Sequence, residues 1–344
     1  MIARPVRSPA IARLQRWPGA FAGLPVVVWG DFMLDEYWRC QTRRVSREAP
    51  VLVLDFEQRT VQGGGAANAA LNLAALGARV TAVGWVGRDA AGRELRGQLK
   101  RAGIDVSGLM THRTSPTVVK TRIVAGDRHT ARQQVVRVDR GTPFAASAAE
   151  RRALLSALDR AAGGARAVVL SDYGYDSVTP VLAQTRVRAW RRRRAIVGLD
   201  ARYRLAEYRG VTLATPNESE ATAAAGFAID SDRDLARCAQ RLRRTLGATH
   251  LVITRGRDGL TLWNREAISL AAWGGEEAVD VTGAGDAVVA TATLALAAGA
   301  PVIEAAALAN VAGSVAVSRR GAVPVTAAEV LAALGVSSRA AKRT

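Results

Sequence analysis

The chain has 344 residues, room for one large α/β domain or two small ones. Hydrophobic residues make up 49% and charged residues 23%, which excludes a disordered chain and predicts a packed core. The formal charge is +18, but only Lys100, Lys120 and Lys342 are lysines, and the arginines are scattered with few aromatics among them, so a nucleic-acid surface is not expected.

Residues 1–22 read as a basic, loosely docked arm without an apolar core of signal-peptide length. The apolar run 24–31, ending in Gly30-Asp31, predicts a buried parallel strand, and similar runs follow at 79–87, 167–173, 194–200, 210–217 and 249–256. Helical patterns lie between them at 66–77, 89–103, 146–162, 179–194, 218–226 and 231–246. Strand alternating with helix predicts a doubly wound, mostly parallel sheet. Two stretches break the rhythm. Residues 51–61 and 117–139 are strand-like with no helix between their strands, and a turn is expected at 125–128, so they predict a small antiparallel sheet set apart as a lid. Arg191 to Arg194 fall in the last turn of a predicted helix, where cations meet its exposed carbonyls. A strand-like segment 276–281 leads to Gly283, and an apolar helix over 287–302, ended by Pro301, is too short and too closely flanked by Asp286 and Glu304 to be read as a membrane span. A last helix is expected at 326–334, with 336–344 as a tail and no second catalytic domain. Cys40 and Cys238 fit no metal or redox spacing, and His112, His129 and His250 show no ligand spacing, so a reducing, cytoplasmic setting is expected.

Three local patterns carry chemistry. Gly63-Gly64-Gly65 precede a helix with Asn68 on its first turn, which suits close backbone approach to a polyol, although glycine loops before helices are common. Asn217 and Glu220, three apart at a helix start, can hold Mg²⁺ through water or simply form a capping arrangement. In Val281-Thr282-Gly283-Ala284-Gly285-Asp286 the glycines let the first N–H groups of a helix close on an anion, and Asp286 stands where it can take a proton from an attacking hydroxyl. The alternative is that Asp286 merely caps the helix. No Walker P-loop with its lysine occurs.

Together these patterns, with Gly87-Arg88-Asp89-Ala90-Ala91-Gly92, resemble the PfkB/ribokinase sugar kinases over about residues 22–332. Within that family the chain is most similar to the heptose-7-phosphate kinases, on stretches such as GDFMLDEYW, RRVSREAPVLVL, PTVVKTRIV, QQVVRVDR and YRGVTLATPNESE. The resemblance implies a ribokinase-like three-layer αβα sandwich, with a kinase domain over 23–335 and lid strands within 33–61 and 116–140. It implies transfer of the ATP γ-phosphoryl group to the anomeric hydroxyl of D-glycero-D-manno-heptose 7-phosphate, in a stand-alone kinase form. Asp286 would be the base, and the amides of Gly283, Ala284 and Gly285 would hold the phosphoryl oxygens. Asp31, Asp35, Gly64, Gly65, Asn68, Lys120 and Arg202 would face the sugar, and Thr254, Gly256 and Asn310 the ATP. Asn217 and Glu220 would order Mg²⁺ through water, a monovalent cation would sit near Gly321, and the lid would pair two copies into a homodimer.

The chain departs from the heptose-kinase pattern at three places. Tyr175 and Arg202 stand where lysines are usual, and Ala322 where Thr or Ser is common. Arginine grips phosphate bidentately, whereas a tyrosine hydroxyl offers one neutral hydrogen bond. Two other readings therefore stay open: a kinase of the same fold for another, non-phosphorylated carbohydrate, and a non-catalytic sugar- or nucleic-acid-binding protein on a kinase scaffold.

Overall fold

A computed structural model describes residues 4–5, 8–126, 132–264, 266–274 and 278–340. The strands are β1 (Arg4–Pro5), β2 (Pro25–Gly30), β3 (Phe32–Val45), β4 (Leu52–Gly65), β5 (Arg79–Gly87), β6 (Asp105–His112), β7 (Val118–Gly126), β8 (Gln133–Arg140), β9 (Ala167–Asp172), β10 (Ile196–Ala201), β11 (Leu213–Ala214), β12 (His250–Thr254), β13 (Leu260–Trp263) and β14 (Ala267–Leu270). The helices are α1 (Ile11–Gln15), α2 (Trp17–Ala20), α3 (Ala66–Ala75), α4 (Ala90–Arg101), α5 (Ala148–Ala161), α6 (Pro180–Arg192), α7 (Glu218–Ala225), α8 (Asp232–Leu246), α9 (Ala284–Ala297), α10 (Val302–Val317) and α11 (Ala327–Ala340).

Ten strands form the main sheet in the order β1-β14-β13-β12-β11-β10-β9-β2-β5-β6. Its pairings are parallel from β12 to β6; only β12–β13 and β13–β14 are antiparallel. The apolar runs read as buried strands because both faces are covered. On one face Val26, Val28, Val80 and Val169 pack with α3, α4, α9, α10 and α11; on the other Val27, Trp29, Val168 and Val197 pack with α5, α6, α7 and α8. The chain runs from β2 outward to β5 and β6 and then returns to β9 on the other side of β2. This reversal places a crevice at the carboxyl ends of β2 and β9, where open α/β sheets bind ligands.

The second sheet has the order β4-β3-β7-β8; β3–β4 and β7–β8 are antiparallel, and β3–β7 in the middle is parallel. The chain leaves the main sheet after Gly30, enters β3, and comes back through β4 directly into α3, so the lid hangs from the rim of the crevice.

Several expectations are corrected. The arm expected over 1–22 is docked: α1 and α2 bury Leu14 and Phe21, and the Trp17 indole donates to Glu304 Oε2 at 2.6 Å. Alternating Arg and apolar residues hid these short helices. The helix expected over 287–302 stops at Ala297, and Pro301 instead precedes a separate helix, α10. Neither helix shows a polar face, since both lie within the core, so an amphipathic period could not divide them. Helix α11 continues through Ala340, where a tail was expected from 336. Residues 278–281 are not a strand; 276 and 277, residues 127 and 128 of the turn expected at 125–128, and His129 lie outside the described residues, while Ala125 and Gly126 end β7. β6, β13 and β14 lacked a distinct pattern in the sequence. Among the described residues no helix is long and apolar enough to cross a membrane.

Candidate active site

Asp286 is the third residue of α9 and is buried. Gly283, the residue before the helix, has φ +80°, and a Cβ there would stand 2.5 Å from Asn68 Nδ2. Only glycine meets both demands. The Gly285 and Asp286 N–H groups lie in the first turn, where a helix offers no carbonyl to pair with. A Cβ on Gly285 would meet nothing within 4 Å, so this electropositive turn faces open space.

The Asp286 carboxylate accepts the Asn68 amide at Oδ2 (2.8 Å) and the Tyr173 hydroxyl at Oδ1 (3.2 Å). Burial pushes its pKa up to about 7, with Asp35 and Glu220 adding to the rise and the two donors opposing it. Such a carboxylate exchanges protons near neutrality, as a general base must. The Tyr173 hydroxyl also reaches Asp200 Oδ2 at 3.5 Å. Burial, then Asp286 and Glu220, push Asp200 well above the usual carboxylate range, and burial raises Glu220. The charges of Asp286, Asp200 and Glu220 thus bear on one another across a poorly solvated space.

Asn217 and Glu220 form the capping box of α7: Asn217 Oδ1 accepts the Glu220 N–H at 2.9 Å and Glu220 Oε2 accepts the Asn217 N–H at 3.0 Å. Asn217 Oδ1 also accepts the Ser219 hydroxyl at 2.8 Å. Among the described residues no group of three His, Cys, Asp or Glu side chains could hold a metal directly.

Asp31, expected at the sugar, is 1% exposed, and its carboxylate accepts the backbone N–H groups of Tyr173 (2.8 Å), Tyr175 (3.0 Å) and Ser177 (2.9 Å). Burial pushes its pKa up to about 6. In this structure Asp31 fixes the loop that carries Tyr173. That loop is braced from beneath by Asp172, which pairs with Arg204 at 2.7 Å and accepts the Tyr208 hydroxyl at 2.7 Å.

On the lid side, Asp35 is paired with Arg122 at 2.5 Å and lies flat against Gly64, where a Cβ would stand 2.5 Å from Asp35 Oδ2. Gly65 links β4 to α3 and so sets where Asn68 begins its helix. Lys120 is 8% exposed, and among the described residues its ammonium has no hydrogen-bond or ion-pair partner. It lies 5.9 Å from the ring centroids of both Tyr173 and Tyr175. Burial lowers its pKa, Asp139 and Asp35 oppose this, and Arg202 and Arg137 lower it further. Arg202 is exposed and stands between this cationic corner and the acidic side formed by Asp200 and Glu220.

Of the residues expected at ATP, Thr254 pairs with the segment before α7 through its N–H to Pro216 O at 3.0 Å, and Gly256 turns the chain just after it. Asn310 donates to Ala271 O at 2.6 Å, tying α10 to the segment after β14 rather than to Thr254 or Gly256. Ala322 rests against Gly283. The sequence reading missed Tyr173, Asp200, Arg122 and Asn72. Tyr173 and Asp200 could have been found, because both end predicted strands at the ligand-binding edge of the sheet.

The model of the pfkB family carbohydrate kinases matches residues 25–328. The bifunctional protein HldE of Geobacter metallireducens is 40% identical over 312 residues, which cover 90% of this chain and 62% of the relative. That of Halorhodospira halophila is 41% identical over 326 residues, covering 92% and 65%. The chain therefore spans just under two thirds of the length of these curated relatives. Among solved structures, Arabidopsis thaliana ribokinase complexed with ribose and ATP superposes with a TM-score of 0.71 at 20% identity, covering 91% of this chain and 99% of that one. Escherichia coli phosphofructokinase-2 in complex with potassium gives 0.72 at 20% identity, covering 92% and 100%. At these identities the superpositions speak for the fold.

Proposed function

Since this chain belongs to the pfkB family of carbohydrate kinases, we propose that it phosphorylates the anomeric hydroxyl of D-glycero-D-manno-heptose 7-phosphate with ATP, giving the 1,7-bisphosphate on the way to an activated heptose. The observation that carries the reading is Asp286, held by Asn68 and Tyr173 behind the open first turn of α9. The relatives named HldE and the heptose-kinase stretches in the sequence support the choice of sugar.

In this mechanism the ionised Asp286 takes the proton of the anomeric hydroxyl as its oxygen bonds to the γ-phosphorus and the bond to ADP breaks. The amides of Gly283 and Gly285, joined by that of Ala284 once it leaves the Val281 carbonyl it meets at 3.4 Å, hold the equatorial phosphoryl oxygens as charge develops there. Mg²⁺, held by Glu220 and Asn217 through water, would neutralise phosphate charge when bound. Lys120 and Arg202 meet the 7-phosphate; an ammonium on a little-exposed lysine with no ion-pair partner among the described residues suits an anionic ligand. The second reading, a kinase for an unphosphorylated sugar, is favoured by one observation: Tyr175 puts a ring beside Lys120 where the heptose kinases usually have a second lysine.

A coupled ADP-release assay over heptose 7-phosphate, free heptose and a hexose panel separates the two. Heptose 7-phosphate should be the better substrate, and equal or better use of free heptose rejects the first reading. Asp286→Asn should lower turnover by about 10²- to 10⁴-fold. Turnover near wild type in that variant would remove Asp286 as the base. Lys120→Met should raise KM for the phosphorylated sugar by about tenfold or more and leave free heptose little changed.

A further inference from the structure

Asn68 and Asn72 lie one helical turn apart on α3, both buried, and face the same way. Asn72 Oδ1 accepts the backbone N–H of Val325 at 2.9 Å. Asn72 Nδ2 donates to Asn68 Oδ1 at 3.1 Å and to the Asn68 carbonyl at 2.9 Å. Asn68 Nδ2 then donates to Asp286 Oδ2 at 2.8 Å. A backbone N–H can only donate, so Val325 dictates which end of the Asn72 amide faces it. That choice turns the Asn72 NH₂ toward Asn68, which in turn leaves the Asn68 NH₂ for Asp286. We propose that Asn72 is a positioning residue that locks the Asn68 amide with its donor toward the base, and so ties the state of Asp286 to the placement of the chain at Val325.

The inference rests on the reading of Asp286 as the base. Without Asn72, the Asn68 amide loses the donor that holds its oxygen, and only Asp286 and a long contact from Asn68 Nδ2 to Gly283 O (3.5 Å) resist a half-turn that presents its oxygen to Asp286. Oxygen facing carboxylate favours the protonated acid, and a protonated Asp286 cannot accept the sugar's proton. The other groups facing Asp286 remain in place: Tyr173 from the loop after β9, Asp200 from β10, Glu220 from α7 and Asp35 from β3. Altering Asn72 reaches Asp286 either through Asn68 or through the chain at Val325, whose neighbour Ala322 rests against Gly283, and the Asn68→Ala background tells the two routes apart.

The test uses Asn72→Leu, with Asn72→Ser as the variant that keeps a small hydrogen-bonding group should the first not fold. Each is assayed with ATP–Mg²⁺ and heptose 7-phosphate, and each is followed by carbon-13 NMR of the labelled Asp286 carboxyl across pH, with Asp286→Asn identifying the resonance. The relay predicts that kcat falls by about tenfold, that the acid limb of kcat/KM and the NMR midpoint both move up by about one pH unit, and that KM for ATP is unchanged. In an Asn68→Ala background, Asn72→Leu should add no further loss of kcat. A folded variant with a wild-type NMR midpoint overturns the proposal, since a purely structural tie to Val325 would lower the melting temperature and move neither readout. The NMR titration needs no substrate, so it judges the relay even if Asp286→Asn keeps its turnover and the kinase reading of Asp286 fails.

Discussion

Burial at the start of α9 pushes the Asp286 pKa up to about 7 from an ordinary value of 3.8. A carboxylate raised in the folded state adds stability that is complete below the unfolded pKa and is lost as pH rises toward the folded one. Asp286 therefore weakens the fold progressively from about pH 4 to about pH 7, the range over which it gains its charge. Asp286→Asn removes this titration while keeping an acceptor for Asn68 and a group for Tyr173. The stability gained by the substitution should be about 2 kcal/mol larger at pH 8 than at pH 5, as read from chemical denaturation at both. The kinetic counterpart has the opposite sign: wild-type kcat/KM should fall below about pH 7 as the base protonates, and a flat profile down to pH 5 would contradict a base at this position. The Asp286 motif was visible in the sequence because glycines before a carboxylate are a local signal. Its hydrogen-bond partners were not, because Asn68 lies 218 residues away.

The elements around the site divide into those that hold it and those that open it, and two glycines separate the roles. Gly283→Ala places a Cβ at φ +80° and against the Asn68 amide. It should cost about 2 kcal/mol or more in stability and lower turnover by displacing Asn68 from Asp286. Gly285→Ala points its methyl into open space in front of the same helix turn. Its stability should stay within about 0.5 kcal/mol of wild type, while turnover should fall because the methyl enters the space proposed for the phosphoryl group. Equal loss of stability in the two variants would mean that the turn is packed rather than open. The capping box at Asn217 and Glu220 teaches a related lesson. The spacing that suggested a metal site also suits a helix cap, and the fold uses it for the cap while the Glu220 charge is still felt at Asp200 and Asp286.

For the whole molecule, the lid sheet leaves Val45, Val51, Leu52, Phe56, Val135, Val136 and Val138 exposed, with Trp38 edge-on to Phe56 at 6.0 Å. An apolar sheet face of this kind is covered in stable proteins, and we expect a second copy to cover it. Sedimentation should find a dimer at micromolar concentration, and the double substitution Phe56→Glu with Val136→Glu should yield monomers. A monomeric wild-type protein would rule this pairing out. What the sequence determined by itself were the features written in neighbouring residues: the apolar strands, the alternation of strand and helix, the stretches that break it to form the lid, and the glycines ahead of Asp286. The tertiary structure alone decided that Asp31 holds a loop, that α1 and α2 dock, that Lys120 stands between two tyrosine rings, and that Asn72 reaches Asp286 through Asn68. Those outcomes depend on which distant groups compete for the same hydrogen bonds and on which charges lose their water together, and neither quantity exists until the chain has closed on itself.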